Sequence, residues 1–428
     1  MRTTGLITSC LAVVGLWPAP LPAQEPDIPA RLSFDAAVRL VEQRHPALAA
    51  GREHLAIADA TSAAARVRPN PVFDASSEGL RPWSAGGGSA FDAQELILQV
   101  GQEIELGGRR RLRTAAADAA ASAARASLTD RRRRLRAETG QAYFLLVLAR
   151  SEVETATTAL ADVDKVIALN RARYQQGEIS GGELRRLEVE RMRFTDDVLG
   201  AQLSERNARS SLLALLGSTR LDQPLEPTDQ VAPRPGLARV NLDRATLVAL
   251  ALANRPDLVG ARQDAARAGS EVRLQQALRT PNLTIGAGFR RDFGENGVIL
   301  SASVPLPVFD RNAAGIARAE AERRLAESGI TQVERDILLE VQQAINLADT
   351  SRSRLDQLES EYLQKAREAR DSALSAYRSG AADLIDYLDA QRAYREVQRA
   401  HRRAEFDYRA SLLQLEAAVG TAPGDQPQ

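Results

Sequence analysis

The sequence predicts a mainly helical fold with a small amount of membrane β-structure, arranged as two tandem repeats of helix, β-hairpin and long coiled-coil helical hairpin. Two stretches of about 65 residues, 109–174 and 311–377, contain no proline. At ~1.5 Å per residue, each would form a helix roughly 100 Å long. Two shorter stretches, about 70–106 and 282–309, alternate apolar and polar residues as amphipathic strands do. The same order of features occurs twice, which indicates an internal repeat.

The composition agrees with long packed helices and argues against several classes of function. Lys and Arg total 56, equal to the 56 Asp and Glu, so a nucleic acid is a poor candidate as partner. Aromatic residues make up 4% of the chain and hydrophobic residues 44%, as expected for helices that pack through small side chains. The sequence shows no phosphate-binding glycine loop, metal-ligand spacing or nucleophile elbow. We therefore expect neither an enzyme nor a cofactor, and no metal site built from the scattered His45, His54 and His401.

Residues 1–23 have the features of a secretory signal peptide. Arg2 supplies positive charge, Leu6–Trp17 form an apolar core, and Ala23 is a small residue at the predicted cleavage site. Cleavage there removes Cys10, the single cysteine of the chain. The mature protein is therefore expected to have neither a disulfide nor thiol chemistry.

Each repeat begins with a helix that a proline interrupts. The segment LSFDAAVRLVEQRHPAL at 32–48 corresponds to NLDRATLVALALANRPDL at 241–258, which aligns Pro46 with Pro256. Ser33 is the expected N-cap, and Pro46 is expected to start a second helix because proline is favoured at the first helical position. The predicted division is 24–216 for the first repeat, 217–240 for a proline-rich linker, 241–419 for the second repeat and 420–428 for a disordered tail.

Both hairpins are predicted from alternating residues. Between 95 and 106 most even positions are apolar and most odd positions are acidic or polar, and Leu283–Phe289 alternate in the same way. Apolar residues then recur at every second position from Val298 to Leu306. Between these segments, Gly294 and Asn296 are residue types that suit a hairpin turn.

The strands have the size and pattern of strands in a membrane barrel, about ten residues long with one apolar and one polar face. An isolated hairpin is marginally stable and leaves its strand edges unpaired. Two hairpins supply four strands, whereas a small transmembrane barrel needs about eight. Several copies must therefore contribute to one barrel, which predicts a homo-oligomer.

The second proline-free stretch carries a heptad seam of alternating four- and three-residue steps, which indicates a coiled coil. The return helices, expected at about 182–216 and 382–419, are shorter than the helices on which they fold back. The proline-interrupted helices, 33–66 and 241–279, are expected to cover the remaining length. The seam consists of Ile337, Val341, Ala344, Ala348, Ser351, Leu355, Leu358 and Tyr362.

The motif Y-x-x-G-x-x-x-x-x-[DE] occurs once in each repeat. It occurs as YQQGEISGGE at Tyr174–Glu183 and within YRSGAADLIDYLDAQ at Tyr377–Gln391. With this motif in each of two repeats, the chain from about 32 to 420 resembles the TolC-like outer-membrane efflux family. VGQEIELGGRRR at 100–111 and VPLPVFDRNAAGIARAEAE at 304–322 are similar in particular to the branch that serves cobalt, zinc and cadmium efflux pumps.

The resemblance implies a trimer in the outer membrane of a Gram-negative-type cell, in which twelve strands form one β-barrel and the helices form an α-barrel across the periplasm. It implies an exit duct that docks on a periplasmic adaptor (membrane fusion protein) and an inner-membrane RND-type pump, and that exports heavy-metal cations. A duct for drugs or secreted protein is the alternative within the family. A periplasmic adaptor or a structural coiled-coil protein is the alternative outside it.

The arginine runs 109–111 and 131–134 are interpreted as helix faces paired with acids. Contact between the first run and outer-membrane lipid phosphates is an alternative.

The resemblance also assigns a docking role to the tips of the helical hairpins. Tyr174, Gly177 and Gly380 would present turns to the adaptor, while each glycine is also compatible with a simple left-handed cap that ends a helix. Some family members carry a basic or polar residue two positions after the second glycine, and this residue stabilises the closed state of the channel. This chain has Ala382 at that position.

The resemblance further implies that carboxylates six and nine residues after the tip glycines form a periplasmic gate and cation filter. They are Asp386 and Asp389 in the second repeat and Glu183 in the first, and Glu183 could accept a hydrogen bond from Tyr377. Three copies of such carboxylates around a narrow axis would repel one another and attract cations. The alternative is that they are solvated groups on a helix face.

Overall fold

The computed structural model describes residues 28–79, 95–230, 243–292 and 295–420 of the 428-residue chain. The predicted signal peptide with Cys10, Gly294 of the predicted turn and residues 421–428 of the predicted tail lie outside these ranges. No helix within them is both long enough and apolar enough to cross a membrane.

The chain folds as two copies of one order of elements, which confirms the predicted fold class of repeats with long helices. In each copy two short helices precede a β-hairpin, and a long helix and its return helix follow it. The first copy comprises β1 (Arg31–Leu32), α1 (Phe34–Arg44), α2 (Pro46–Ala65), β2 (Val72–Glu78), β3 (Glu95–Ile104), α3 (Arg109–Gln175) and α4 (Gly181–Leu215). After β4 (Glu226–Pro227), the second comprises α5 (Arg244–Asn254), α6 (Pro256–Ala277), β5 (Leu283–Asp292), β6 (Glu295–Ser303), α7 (Ala313–Gln357), a π-helical turn (Leu358–Tyr362), α8 (Leu363–Ser379) and α9 (Leu384–Val419).

The short helices begin where the sequence predicts. The Ser33 hydroxyl accepts a hydrogen bond from a first-turn amide at 3.3 Å, and Pro46 is the first residue of α2. In the second repeat Asp243 caps α5 by accepting from a first-turn amide at 3.0 Å, and Pro256 begins α6. Each proline separates two helices because it lacks the amide hydrogen that a continuous helix would use.

The two hairpins join into one antiparallel sheet with strand order β2-β3-β5-β6. The repeats meet where β3 pairs with β5, from Leu96 opposite Arg291 to Ile104 opposite Leu283. This register, which the sequence analysis did not predict, brings the apolar positions of all four strands to one face and leaves β2 and β6 as edges. Two rows cross that face, Phe73–Val100–Ala287–Leu300 and Ala75–Leu98–Phe289–Val298.

Two details of the predicted second hairpin are wrong. Asn296 is not a turn residue, since it lies in β6 and pairs with β5. β6 ends at Ser303 and does not continue to Leu306. The strand stops because Pro305 and Pro307 follow, and proline has no amide hydrogen to add to the ladder.

The predicted heptad seam is buried along α7, where its six residues from Ile337 to Leu355 are at most 6% exposed. The prediction fails at the last position, because Tyr362 is 50% exposed. Tyr362 lies in the π-helical turn, whose extra residue rotates the side chains around it away from the seam. α2 and α6 pack on α3, and α6 also packs on α7, so these helices cover the length beyond the return helices as predicted.

Part of the predicted linker is packed against the first repeat. β4 pairs in parallel with β1, and Leu225 is 3% exposed within the first repeat's core. The hydroxyl of Tyr143 lies 2.8 Å from the carbonyl oxygen of Leu32 and 2.8 Å from Oδ2 of Asp229. Burial, together with the Asp229 carboxylate, raises the pKa of Tyr143 to about 12. Segment 217–230 is therefore held by a buried tyrosine, a contact that the sequence analysis missed.

The two arginine runs make different contacts. Arg133 and Arg134 each lie 2.7 Å from Asp130, which is the predicted pairing with an acid. In the first run Arg109 instead donates to the carbonyl oxygens of Leu278, at 3.3 Å, and Thr280. Contact of that run with lipid stays a prediction.

Arg255, which the sequence analysis did not single out, is a buried charged residue at the α5–α6 junction, only 1% exposed. Its guanidinium lies 2.5 Å from Asp257 and 2.6 Å from Glu340, and it donates to the carbonyl oxygen of Ala418 at 3.1 Å. It thereby connects the α5–α6 junction to α7 and to the end of α9. Burial alone would raise the pKa of Asp257, but the hydrogen bonds and charge of Arg255 outweigh it and hold that pKa below its ordinary value.

We expect Asp257→Asn to lower the apparent melting temperature near neutral pH, because Arg255 loses one of its two carboxylate partners, at a cost of ~2 kcal/mol. The Asp257 pKa is lowered in the folded state. The stabilisation is therefore complete above the unfolded pKa of about 3.9 and is lost as the pH falls through the folded value. Melting curves by circular dichroism should show the difference from wild type shrinking below about pH 4.

The matched control is Asp264→Asn in the same helix. Asp264 lies 3.6 Å from Arg267 on the exposed surface, where an ion pair adds little stability. An equal loss in both variants, or a loss at Asp257 that does not change with pH, would contradict the prediction.

Candidate functional site

The first helical hairpin turns at Gly177. The backbone of Gly177 is left-handed, with φ of 79°. Its amide donates to the carbonyl oxygen of Tyr174 at 3.1 Å, and the Glu178 amide donates to that of Arg173 at 2.9 Å. This pair of backbone hydrogen bonds ends a helix and requires a residue that accepts positive φ. No atom lies within 4 Å of the position that a Gly177 side chain would take, so the turn is open.

The second hairpin turns in the same way at Gly380, whose φ is 78°. Its amide donates to the carbonyl oxygen of Tyr377 at 3.2 Å, and the Ala381 amide donates to that of Ala376 at 2.8 Å. The space beside Gly380 is also open within 4 Å. Both glycines are therefore left-handed caps, and both remain accessible to another molecule.

The carboxylates six residues after each glycine lie in the first turn of the return helices. Glu183 and Ser180 exchange two hydrogen bonds of 3.2 Å, each side chain accepting from the other's amide. Asp386 accepts from the Asp383 amide at 3.3 Å. A carboxylate at this position caps a helix and lies near its positive end, so both residues have a structural role whatever else they do.

The expected hydrogen bond between Tyr377 and Glu183 is wrong. The Tyr377 hydroxyl donates to Oδ1 of Asn170 on α3, while the Glu183 carboxylate is used in its cap. The Tyr377 ring stacks on Tyr387 with 6.1 Å between centroids, and burial raises the pKa of Tyr377. Tyr174, the corresponding residue of the first repeat, is 50% exposed and does not occupy an equivalent position.

The two tips pack together into one end of the molecule. Arg392 of α9 lies 3.1 Å from the buried Glu190 of α4, and Arg395 lies 2.6 Å from Asp197 and 4.0 Å from the centre of the Phe194 ring. Sequence reasoning missed these pairs, although a signal existed. Glu190 is thirteen residues after Gly177 and Arg392 is twelve after Gly380. Return helices that lie side by side therefore bring the two residues to nearly the same distance from the tips. The shared core consists of Ala159, Val163, Val166, Ile167, Leu187, Phe194, Tyr377, Leu384, Tyr387 and Leu388.

Asp386 and Asp389 are both exposed. Asp389 lies 2.8 Å from Arg392 on its own helix. Within one chain these carboxylates are solvated groups at the tip, and a ring of them requires further copies. The histidine–carboxylate group that the described residues bring within metal-binding reach lies elsewhere, at Glu359, His401 and Glu405 in the middle of the second helical hairpin.

Known proteins share this sequence pattern and this fold. The family model described as "Outer membrane efflux protein" matches residues 37–218 and 247–421. The chain is 26% identical to the cobalt-zinc-cadmium resistance protein CzcC of Cupriavidus metallidurans, over 84% of this chain and 83% of that protein. It is also 26% identical to the pyoverdine export outer membrane protein OpmQ of Pseudomonas aeruginosa, over 77% of this chain and 69% of that protein. The solved structure of the outer membrane protein VceC from Vibrio cholerae has the same fold, with a TM-score of 0.74 and 22% identity over 91% of this chain and 96% of that one.

We expect Tyr377→Phe to loosen the tip, because the oxygen of Asn170 loses its buried donor at a net cost of ~1 kcal/mol. Hydrogen–deuterium exchange should become faster in the amides around Asn170 and Tyr377 and stay unchanged in β3 and β5. Tyr174→Phe is the matched control, since the Tyr174 side chain is half exposed. Equal exchange in the two variants would show that the Tyr377 hydrogen bond does not hold the tips together.

Proposed function

This chain belongs to the outer membrane efflux protein family, and from that membership we propose that it is the outer-membrane exit duct of a tripartite system that exports heavy-metal cations. Its family is one of efflux proteins rather than enzymes, and we assign it no catalytic role. Membership also removes the alternatives of a periplasmic adaptor and of a structural coiled-coil protein.

The amphipathic sheet is the observation that best supports the proposal of a duct. Its apolar face is open to solvent in the single chain, with Val298 82%, Leu300 81% and Phe73 65% exposed. Among the described residues, no strand pairs with the outer sides of the edge strands β2 and β6, and lipid does not tolerate unpaired edges. Joining β2 of one copy to β6 of the next would cover the edges and turn the apolar face to lipid. Three copies give twelve strands, more than the roughly eight that close a small barrel.

The cargo is proposed from the relatives and from the charge of the tips. One relative is named for resistance to cobalt, zinc and cadmium, and a second for export of pyoverdine. Carboxylates near the axis of an oligomer favour cations, and Asp386, Asp389 and Glu183 lie exposed near the tip glycines. We therefore favour metal cations. A duct for drugs, secreted protein or another organic compound is the second candidate, supported by the pyoverdine relative.

The partners are proposed from the open turns. Gly177 and Gly380 lie at the end of the helical hairpins farthest from the sheet, with free space beside both. A periplasmic adaptor that docks there could contact backbone and small side chains without displacing the packed core of the tips. The inner-membrane pump of the RND type would then deliver cations to the duct through the adaptor.

We expect a strain that lacks this chain to become sensitive to Co²⁺, Zn²⁺ or Cd²⁺, and the wild-type chain to restore growth. Gly177→Glu and Gly380→Glu should fail to restore it while the oligomer still forms, because a long charged side chain fills the space that the adaptor would cover. Growth over a range of metal concentrations measures the effect, and detergent extraction with native electrophoresis measures the oligomer.

Gly177→Asn and Gly380→Asn are the matched controls, because asparagine tolerates a left-handed backbone and adds a short side chain. They should restore growth. Growth restored by the Glu variants would contradict docking at the tips. Sensitivity of the deletion strain to organic compounds, with unchanged metal tolerance, would contradict the cargo and leave the duct in place.

We also expect the double variant Asp386→Asn/Asp389→Asn to raise the single-channel conductance and reduce the preference for cations in planar bilayers, because the ring loses its charge. The reversal potential in a salt gradient measures the preference. Glu368→Gln is the control, since Glu368 is an exposed carboxylate on α8 twelve residues before Gly380. Unchanged selectivity in the double variant would assign the two aspartates to the solvated helix face.

A further inference from the structure

The long helix of the second repeat contains an irregular turn that α3, the long helix of the first repeat, lacks. α3 runs for 67 residues without interruption, whereas the helix from Ala313 passes through the π-helical turn Leu358–Tyr362 before α8 begins. π-helical turns are rare and are frequent at functional sites. Glu359, the second residue of this turn, faces α9 at the level of His401.

His401 is a buried imidazole between carboxylates. It is 9% exposed, with Nε2 3.4 Å from Oε1 of Glu359 and Nδ1 3.9 Å from Oε2 of Glu405. Each ring nitrogen therefore has a carboxylate oxygen as its neighbour. Imidazole nitrogen and carboxylate oxygen are both ligands that a divalent transition-metal cation accepts.

The spacing of the three side chains suits one cation. His401 and Glu405 are four residues apart on α9, so they lie on one helix face, and Glu359 reaches them from the neighbouring helix. One ligand atom from each residue lies within 4.8 Å of the other two. Two ligands of a tetrahedral Zn²⁺ are about 3.4 Å apart, close to the distance between Glu359 and His401.

The surroundings also favour a bound ion. Leu355, Ala404, Tyr408 and Leu412 form an apolar cluster beside the site, and electrostatic attraction is stronger next to such a low-dielectric region. Arg402 lies 3.0 Å from Oε2 of Glu405. An outer contact of this kind orients a carboxylate ligand, and no hydrogen bond among the described residues uses Oε1 of Glu405.

We propose that Glu359, His401 and Glu405 bind one divalent transition-metal cation of the zinc class in each chain. One imidazole nitrogen and two carboxylate oxygens are ligands that Zn²⁺ and Co²⁺ accept, while Mg²⁺ and Ca²⁺ prefer oxygen alone. The ion connects the π-helical turn to α9 and so holds the second helical hairpin together at mid-length. The site differs from the carboxylates of the tips, because it lies between packed helices and needs no second copy of the chain.

The test is metal binding by the mature protein, purified in detergent without a histidine tag and stripped with a chelator. Calorimetry with Zn²⁺ in excess Mg²⁺ should give one ion per chain, and Co²⁺ should give the visible absorption of a low-coordinate site. Zn²⁺ should raise the melting temperature of wild type. His401→Gln and Glu359→Gln should each weaken binding by at least about tenfold and abolish that rise.

His54→Gln and Glu361→Gln are the matched controls, one an exposed histidine on α2 and the other an exposed glutamate in the same π-helical turn. Both should bind Zn²⁺ as wild type does. Absence of Zn²⁺ binding up to millimolar concentration, or binding by the His401 and Glu359 variants equal to that of wild type, would overturn the proposal and leave a simple contact between His401 and the two carboxylates. Because Glu359 is half exposed, its variant is expected to fold even where the His401 variant does not. Binding is measured without transport, so its failure would leave the proposed duct untouched.

Discussion

The pairing of β3 with β5 is the constraint on which the rest of the fold depends. It joins the hairpins of the two repeats by main-chain hydrogen bonds and so fixes where α3 and α7 begin relative to α6, which packs on both. A shift of one residue would turn every apolar side chain of one hairpin to the polar face. With the observed register, both hairpins share one apolar face, and no strand among the described residues pairs with the outer side of β2 or β6.

The two repeats share an order of elements and a turn geometry at their tips, but they differ in side chains. Left-handed glycines give both tips one turn geometry, because few other residues accept that conformation. The exposed residues around the turns are free to differ, and they do. Arg185 and Arg186 follow Glu183 in the first repeat, whereas Asp386 and Asp389 occupy the corresponding turns of the second. The duplicated scaffold therefore presents an asymmetric distribution of charge at its tips.

Several arginines stack on aromatic rings between the helices. Arg395 lies over Phe194 at 4.0 Å, Arg370 over Tyr394 at 4.4 Å and Arg409 over Phe144 at 4.7 Å. The stem of an arginine packs as an apolar group while its planar end stacks on a ring or bonds to an acid. Each of these arginines thus adds apolar contact area to one of the few aromatic rings, which make up 4% of the chain.

By itself the sequence determined the features that depend on neighbours in the chain. These are the helix starts at Ser33 and Pro46, the helix ends at Gly177 and Gly380, the long proline-free helices, and the repeat that relates the two halves. The positions of the tip turns were therefore predictable, but the partners of the tip residues were not. Only the tertiary structure decided that Tyr377 bonds to Asn170, that β3 pairs with β5 and that Glu359 reaches His401. Each of these contacts joins residues far apart in the chain, and its partner depends on how helices and strands are rotated and shifted against one another, which residue spacing along the chain does not encode.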